Sequence, residues 1–298
     1  MANVLSELSN DLADVVDAAA PGVARVAARR RHAASGVVWS ADGVIVTAHH
    51  VVERENDILV TLDGGDDIGA ELVGRDPSTD VAVLKADASD LRQAAWADEA
   101  SARVGHLVLA LGRPGSSAAA TLGVVSAVGG PWRTPAGGSL QRYLQTDVVM
   151  YPGFSGGPLV DSAGGVLGIN TSALVRGVAL TVTRASLEGI VETLLSHGRI
   201  RRGFLGIGTQ PVTLPDRFRE LAGQDSGLLV SSVQPDGPAD KAGFLLGDTL
   251  VEVDGKSVSV PEDLMTLLSG DLIGRSTSAR VVRGGELVQL NVTVGERS

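Results

Sequence analysis

The sequence predicts a mainly β chain whose first 180 residues form a sandwich or barrel, preceded by a short helix and followed by a second, smaller unit. Three observations carry this. Short apolar runs recur at close, regular intervals with turn residues between them, the pattern of all-β architectures. No helix alternates with those runs, which argues against a parallel βαβ sheet. The composition, with 38 Gly and 3% aromatic residues in 298, favours strands and turns and leaves Val, Leu, Ile and Ala to fill the cores. The length accommodates two domains, each with its own core.

In chain order, residues 4–20 read as a helix. Leu5, Leu8, Leu12, Val15 and Val16 recur at three- to four-residue spacing, and Pro21 ends the run. From Gly22 the period shortens. Val23–Val26 and Gly36–Trp39 read as strands, Ala41-Asp42-Gly43 as a hairpin turn, and Val44–Val46 as the returning strand, which runs into Thr47-Ala48-His49-His50. Further strands are predicted at Ile58–Leu62, Gly69–Gly74, Val81–Leu84, Leu107–Leu111, Thr121–Val128, Tyr143–Thr146, Val166–Ile169 and Val178–Val182. Ser186–His197 is an amphipathic helix, with Leu187, Ile190, Val191, Leu194 and Leu195 on one face, Ser186 as N-cap and Gly198 as stop. Residues 199–202 form a linker. Beyond them, strands are expected at Leu205–Thr209, Gly227–Val233, Thr249–Val253, Ser278–Arg283 and Val288–Val294, with helices at Ala239–Ala242 and Pro261–Leu268. The domain reading is a helical segment 1–21, a first domain 22–198 and a second 203–298.

Composition excludes several function classes. The net charge of −10 weighs against nucleic acid as a partner. The one basic run, Arg29-Arg30-Arg31, reads as a solvated turn. With no cysteine there is no disulfide or thiolate chemistry. The five histidines, His32, His49, His50, His106 and His197, show no metal-ligand spacing, so neither a metal nor another cofactor is expected. The N-terminus lacks a basic, then apolar leader pattern, and no apolar run is long enough to span a membrane. The compartment expected is the cytoplasm if Met1 is the native start, and the cell envelope or periplasm if a targeting segment has been removed.

The chemistry concentrates at Gly153-Phe154-Ser155-Gly156-Gly157-Pro158. Glycines around one serine let backbone N–H groups turn towards a ligand, so Ser155 is a candidate nucleophile, with the Gly153 and Ser155 N–H groups as candidate oxyanion donors. A serine hydroxyl needs a base, and the base an orienting acid. His50 lies upstream, and Asp80 ends a loop before the apolar Val81–Leu84, where a carboxylate needs a partner. The same serine also fits the Gly-x-Ser-x-Gly elbow of α/β-hydrolases. That elbow requires a helix after the serine and a downstream acid and histidine. Pro158-Leu159-Val160 reads instead as strand.

These segments resemble the trypsin-like serine proteases, and most closely the HtrA/DegP family: Thr47-Ala48-His49-His50 around the base, Thr79-Asp80-Val81-Ala82-Val83-Leu84 around the acid, Gln145-Thr146-Asp147 before the nucleophile and Gly168-Ile169-Asn170-Thr171 after it. The resemblance implies a trypsin-like double six-stranded β-barrel with His50, Asp80 and Ser155 as the triad. It places Val149 at the base of an apolar S1 pocket suited to small or medium aliphatic residues, with Thr171, Ser172 and Ala173 on its wall. The C-terminal unit resembles one PDZ domain (α+β). Phe204-Leu205-Gly206-Ile207 stands for its peptide-binding loop, Gly237-Pro238-Ala239 and Gly247-Asp248 complete the pattern, and Met265 and Leu268 are candidates to face the groove. The function implied is an ATP-independent serine endopeptidase that degrades unfolded or misfolded polypeptides, with PDZ capture of protein C-termini and a possible homotrimeric assembly. The alternative is a chaperone-like peptide-binding protein with a normally inactive site. Two departures stand out. Phe154 replaces the family's usual Asn, and Met150-Tyr151-Pro152-Gly153 replaces its usual Ile-Asn-Pro-Gly. Phe154 also supplies no carboxylate with which a new N-terminus could pair.

Overall fold

A computed structural model describes residues 2–30, 32–268 and 272–297. The chain divides into two compact units, the first ending at Ile200 and the second starting at Arg201.

In the first unit, helix α1 (Ala2–Ala19) leads into β1 (Val23–Ala27), β2 (Ala34–Ser40), β3 (Val44–Ala48), β4 (Ile58–Thr61), β5 (Asp67–Asp76) and β6 (Val81–Ala86). These six strands close into a barrel in the order β1-β2-β3-β6-β5-β4. A second closed barrel follows: β7 (Leu107–Gly112), β8 (Ala119–Gly129), β11 (Tyr143–Thr146), β12 (Pro158–Asp161), β13 (Val166–Thr171) and β14 (Ala179–Thr183), in the order β11-β14-β13-β12-β7-β8. The short pair β9 (Trp132–Arg133) and β10 (Ser139–Leu140) lies outside it. Helix α2 (Arg184–His197) closes the unit.

The uninterrupted apolar runs of β3 and β6 have a geometric cause. Side chains alternate across a strand, and in these two strands both faces meet a core. Ile45, Ala82 and Leu84 fill the first barrel. Val44, Val46, Val81 and Val83 point the other way and pack with Ile169 and Val182 of the second barrel and with Leu187, Val191 and Leu194 of α2. His50 and Asp80 flank the ends of these doubly buried strands.

Three helix expectations need correction. Helix α2 starts two residues early, with Thr183 as N-cap and no side-chain cap bond. Ser186 is not the cap. It lies in the first turn, accepts the N–H groups of Gln141 and Arg142 and donates to the Arg142 carbonyl. Leu195 turns outward at 44% exposure, because the buried stripe of four residues already covers the barrels. On α1, Val15 is buried and Leu12 and Val16 pack beside it, whereas Leu5 and Leu8 stay exposed on the single chain.

The second unit holds β16 (Ile207–Thr213), β17 (Ser226–Val233), β18 (Thr249–Val253), β20 (Ser276–Arg283) and β21 (Glu286–Thr293) as one sheet, with β19 (Lys256–Ser257) on β18. β15 (Arg202–Phe204) pairs with β22 (Gly295–Arg297). Helices α4 (Pro238–Lys241) and α5 (Pro261–Leu267) occupy the expected stretches. The expected strand from Leu205 breaks at Gly206, whose φ of +79° is left-handed. Helix α3 (Asp216–Ala222) was not expected, although Pro215 before it and Gly223 after it are start and stop signals. Phe244, Leu228, Leu250 and Val281 sit at the centre of this unit's core.

Candidate active site

Strand pairing brings the acid and the base together. β3 and β6 run antiparallel with Ala48 opposite Val81. The residues just past the end of one strand therefore face those just before the start of the other. His50 lies on the single 3₁₀ turn His49–Val51, and Asp80 takes a left-handed φ of +58°, a conformation Asp tolerates better than most residues. The carboxylate is 3% exposed. Its Oδ2 accepts from His50 Nδ1 at 2.7 Å, and its Oδ1 accepts the His50 backbone N–H at 2.8 Å. The Asp80 carbonyl accepts the His49 N–H at 3.0 Å. Ring, backbone and neighbour are all fixed by one residue, which leaves His50 Nε2 as the free edge of the imidazole.

The loop beneath the acid is polar and buried. Asp76 accepts from the Ser78 N–H, the Ser78 hydroxyl and the Thr79 hydroxyl, and the Thr134 hydroxyl closes on the Ser78 carbonyl. A satisfied network of this kind holds a residue in place without apolar contacts. His49 differs from His50. Burial pushes its pKa below the ordinary imidazole value, partly offset by the Asp80 charge, and its Nδ1 has no partner among the described residues. Burial thus favours the neutral form of His49 beside His50.

Ser155 arrives from the other barrel. Its loop joins β11 to β12 and is tied to β13 by two bonds, Gly156 N–H to the Asn170 carbonyl and Asn170 N–H to the Gly157 carbonyl, each 2.8 Å. β13 then ends at Thr171, whose hydroxyl donates to Asp80 Oδ2. One strand therefore sets both the nucleophile and the acid. Thr171, expected on the S1 wall, is fully buried and directed at the acid instead. Thr171→Val keeps the shape and removes that donor. The expected result is about a tenfold fall in kcat with KM nearly unchanged, the size of one bond to a charged group at about 1.5 kcal/mol.

The candidate oxyanion turn is tightly constrained. Phe154 N–H bonds to the Tyr151 carbonyl at 3.0 Å across Pro152-Gly153, and Gly153 has φ +95°. Proline at the second position and a positive-φ glycine at the third make this a type II turn. Among the described residues neither Gly153 N–H nor Ser155 N–H has an acceptor, while the intervening Phe154 N–H is taken. These are the two donors expected from the sequence. Gly156, at φ +85°, has no room for a side chain, since an added Cβ would meet the Ser35 carbonyl and the Thr47 hydroxyl. Phe154 is 2% exposed and packs in the second barrel's core with Leu144, Val148 and Leu159. Tyr151 stacks on it edge-on at 5.9 Å between centroids and is itself exposed. The departure from the usual sequence is thus an apolar anchor under the turn.

Sequence reasoning missed Ser35, a fully buried serine in β2. Its N–H donates to the Ser155 carbonyl at 3.2 Å and its hydroxyl to the Gly153 carbonyl at 2.6 Å, and the hydroxyl accepts the Arg113 N–H at 2.7 Å. The only hint in the sequence is a polar residue inside an otherwise apolar strand.

His50, Ser155, Gly153, Ser172, Tyr151 and Arg30 line one cleft of about 550 Å³. Ser155 Oγ lies 3.5 Å from Ser172 Oγ and makes no hydrogen bond to His50. Val149, expected at the pocket base, is 53% exposed, and its carbonyl accepts from Thr121. The basic run read as a solvated turn puts Arg29 and Arg30 on the wall of this cleft; Arg31 lies outside the described residues. In the second unit, the Leu205 and Gly206 N–H groups have no acceptor among the described residues. There Phe204 and Ile207 are half-buried and Leu205 buried. Leu268, a candidate to face the groove, is core, whereas Met265 is exposed.

Residues 34–169 match the trypsin-like peptidase domain family and residues 203–294 match the PDZ domain family. Proteins from Halomonas elongata and Brucella suis, both named "Probable periplasmic serine endoprotease DegP-like", are 38% identical over 287 residues and 36% identical over 268. The alignments cover 93% and 87% of this chain and 59% and 52% of those proteins, so the chain spans a little over half their length. Among solved structures, an HtrA-type protease AlgW with decapeptide superposes with a TM-score of 0.75 at 30% identity, covering 96% of this chain and 98% of that one. The serine endoprotease from Yersinia pestis gives 0.77 at 31%, with the same coverage.

Proposed function

This chain belongs to the HtrA-type serine proteases, a trypsin-like peptidase domain followed by a PDZ domain, and from that premise we propose that it is an ATP-independent serine endopeptidase acting on unfolded or misfolded polypeptides. The observation that carries the reading is the pairing of an oriented base with two unclaimed donors: Asp80 on His50 Nδ1, and the Gly153 and Ser155 N–H groups without acceptors. In the reaction, Ser155 Oγ turns from Ser172 towards His50 Nε2, gives up its proton and attacks the peptide carbonyl. The oxyanion that forms lies between the two N–H donors. His50 then protonates the leaving amine, and water, deprotonated by His50, clears the acyl-enzyme. The anchored type II turn supports a hole formed before substrate arrives.

Capture of polypeptide C-termini at Phe204–Ile207 is the matching proposal for the PDZ unit. A peptide added beside this segment would place its carboxylate at the free Leu205 and Gly206 N–H groups. The relatives' names support a periplasmic placement. Among the described residues no helix is long and apolar enough to cross a membrane.

A fluorophosphonate probe tests the catalytic reading. The expected result is stoichiometric labelling, mapped by mass spectrometry to Ser155 and competed by denatured protein. An unlabelled Ser155, with and without added peptide, would favour the chaperone-like alternative.

A further inference from the structure

We infer that the catalytic cleft carries a basic subsite, formed by Arg29 and Arg30, that takes an acidic residue of the polypeptide substrate close to the scissile bond. The inference rests on the endopeptidase reading and adds a substrate preference to it. The chain has 35 acidic and 25 basic residues and a net charge of −10, so a patch of its surface taken at random is negative. The wall of the catalytic cleft is not. Among the described residues lining it, the acidic and basic ones besides His50 are Arg29, Arg30, His32 and Glu53. Two arginines thus line it against one glutamate.

Arg75 pairs with Glu55, Lys85 with Asp42 and Arg113 with Asp63, yet neither Arg29 nor Arg30 pairs with a carboxylate among the described residues. Arg54, next to Glu53, directs its guanidinium to the Ala27 carbonyl. Arg29 Nε donates to the His32 carbonyl. His32 is followed by Ala33, whose carbonyl sits against Gly153. Arg29 and Arg30 thus lie a few residues before one that packs on the candidate oxyanion turn, in the wall of the cleft that holds Ser155. A guanidinium presents forked donors that match a carboxylate, so Asp or Glu is the side chain it selects. The site is open to water and the interaction is screened by salt, which limits its size.

The test uses quenched peptides built on a sequence that the enzyme cleaves in denatured β-casein, with Glu or Ala placed in turn at each of the three positions on either side of the scissile bond. The readout is the ratio of kcat/KM for the Glu peptide to that for its Ala twin. At low ionic strength the wild-type ratio is expected to reach about three to ten at one position or more, and to fall towards one in about 0.5 M salt. Arg30→Gln should bring the ratio close to one and Arg30→Glu below one. Equal cleavage of both twins at every position overturns this inference and leaves the endopeptidase reading intact. So does a preference that survives both substitutions. A protein that cleaves neither twin overturns both.

Discussion

Asp80→Asn is expected to lower kcat about 10⁴-fold while the protein stays folded. The carboxylate makes two separate contacts to one residue, Oδ2 to the His50 ring and Oδ1 to the His50 backbone N–H. An asparagine oxygen can keep the backbone bond. Its NH₂ then faces His50 Nδ1 as a donor where a carboxylate oxygen accepted. The ring responds by placing its proton on Nε2, the atom that must take the Ser155 proton, and the base is lost to the wrong tautomer. The Thr171 hydroxyl, which donates to the same oxygen, can rotate to accept from the new NH₂ and so stabilises that tautomer further. Asparagine is the right probe because it is isosteric and tolerates the left-handed φ of +58° at this position. Steady-state rates on a peptide substrate, with thermal melting as the control, give the answer. A fall of less than tenfold at an unchanged melting temperature would show that Asp80 does not orient the base.

The parts of this molecule legible in the sequence are those whose signal is local. The proposed triad residues each sit in a short run whose neighbours are fixed by the same geometry: glycines around Ser155, an apolar strand directly after Asp80, a strand end directly before His50. The strands are legible by period, and the structure shows the apolar run Val81–Leu84 to be a strand with two buried faces. What stayed hidden depends on partners far away in the chain. Ser186 looks like a cap when read beside its own helix, but its hydroxyl serves residues 141 and 142. Thr171 looks like a pocket wall when read by position, but its contact is Asp80, 91 residues away. Leu5 and Leu8 continue the spacing of Val15, and only the structure shows that they stay exposed while Leu12, Val15 and Val16 pack. Arg113 had no sequence signal at all. It is 1% exposed, and its guanidinium binds the Ala20, Val23 and Ser116 carbonyls and the Asp63 carboxylate, none of which its neighbours announce.

Ser35 is the sharpest case of such a hidden residue. Ser35→Ala is expected to lower kcat about 10²-fold with KM little changed. Through its N–H and its hydroxyl, Ser35 holds the carbonyls of Ser155 and Gly153, the two residues whose own N–H groups form the proposed hole. The Gly153–Phe154 peptide plane is clamped at both ends, its N–H by Tyr151 and its carbonyl by Ser35. Alanine keeps the backbone bond to Ser155 and removes the other. It leaves the buried Gly153 carbonyl and the Arg113 N–H without partners, at about 1–3 kcal/mol each if nothing moves. The cheaper response is for the Gly153–Phe154 plane to rotate its carbonyl towards water; this breaks the Phe154 N–H bond to Tyr151 that closes the turn, and the loosened turn no longer holds the Gly153 N–H in line. Loss of one oxyanion donor lowers kcat by about 10²–10³, and a partly populated flip gives the lower figure. A purely structural role for Ser35 predicts a different outcome, a lower melting temperature with kcat intact below it. Fluorophosphonate labelling separates the two, because the phosphonyl oxygen occupies the same hole. Its rate should fall in step with kcat well below the melting temperature, and a labelling rate equal to wild type would sink the positioning role.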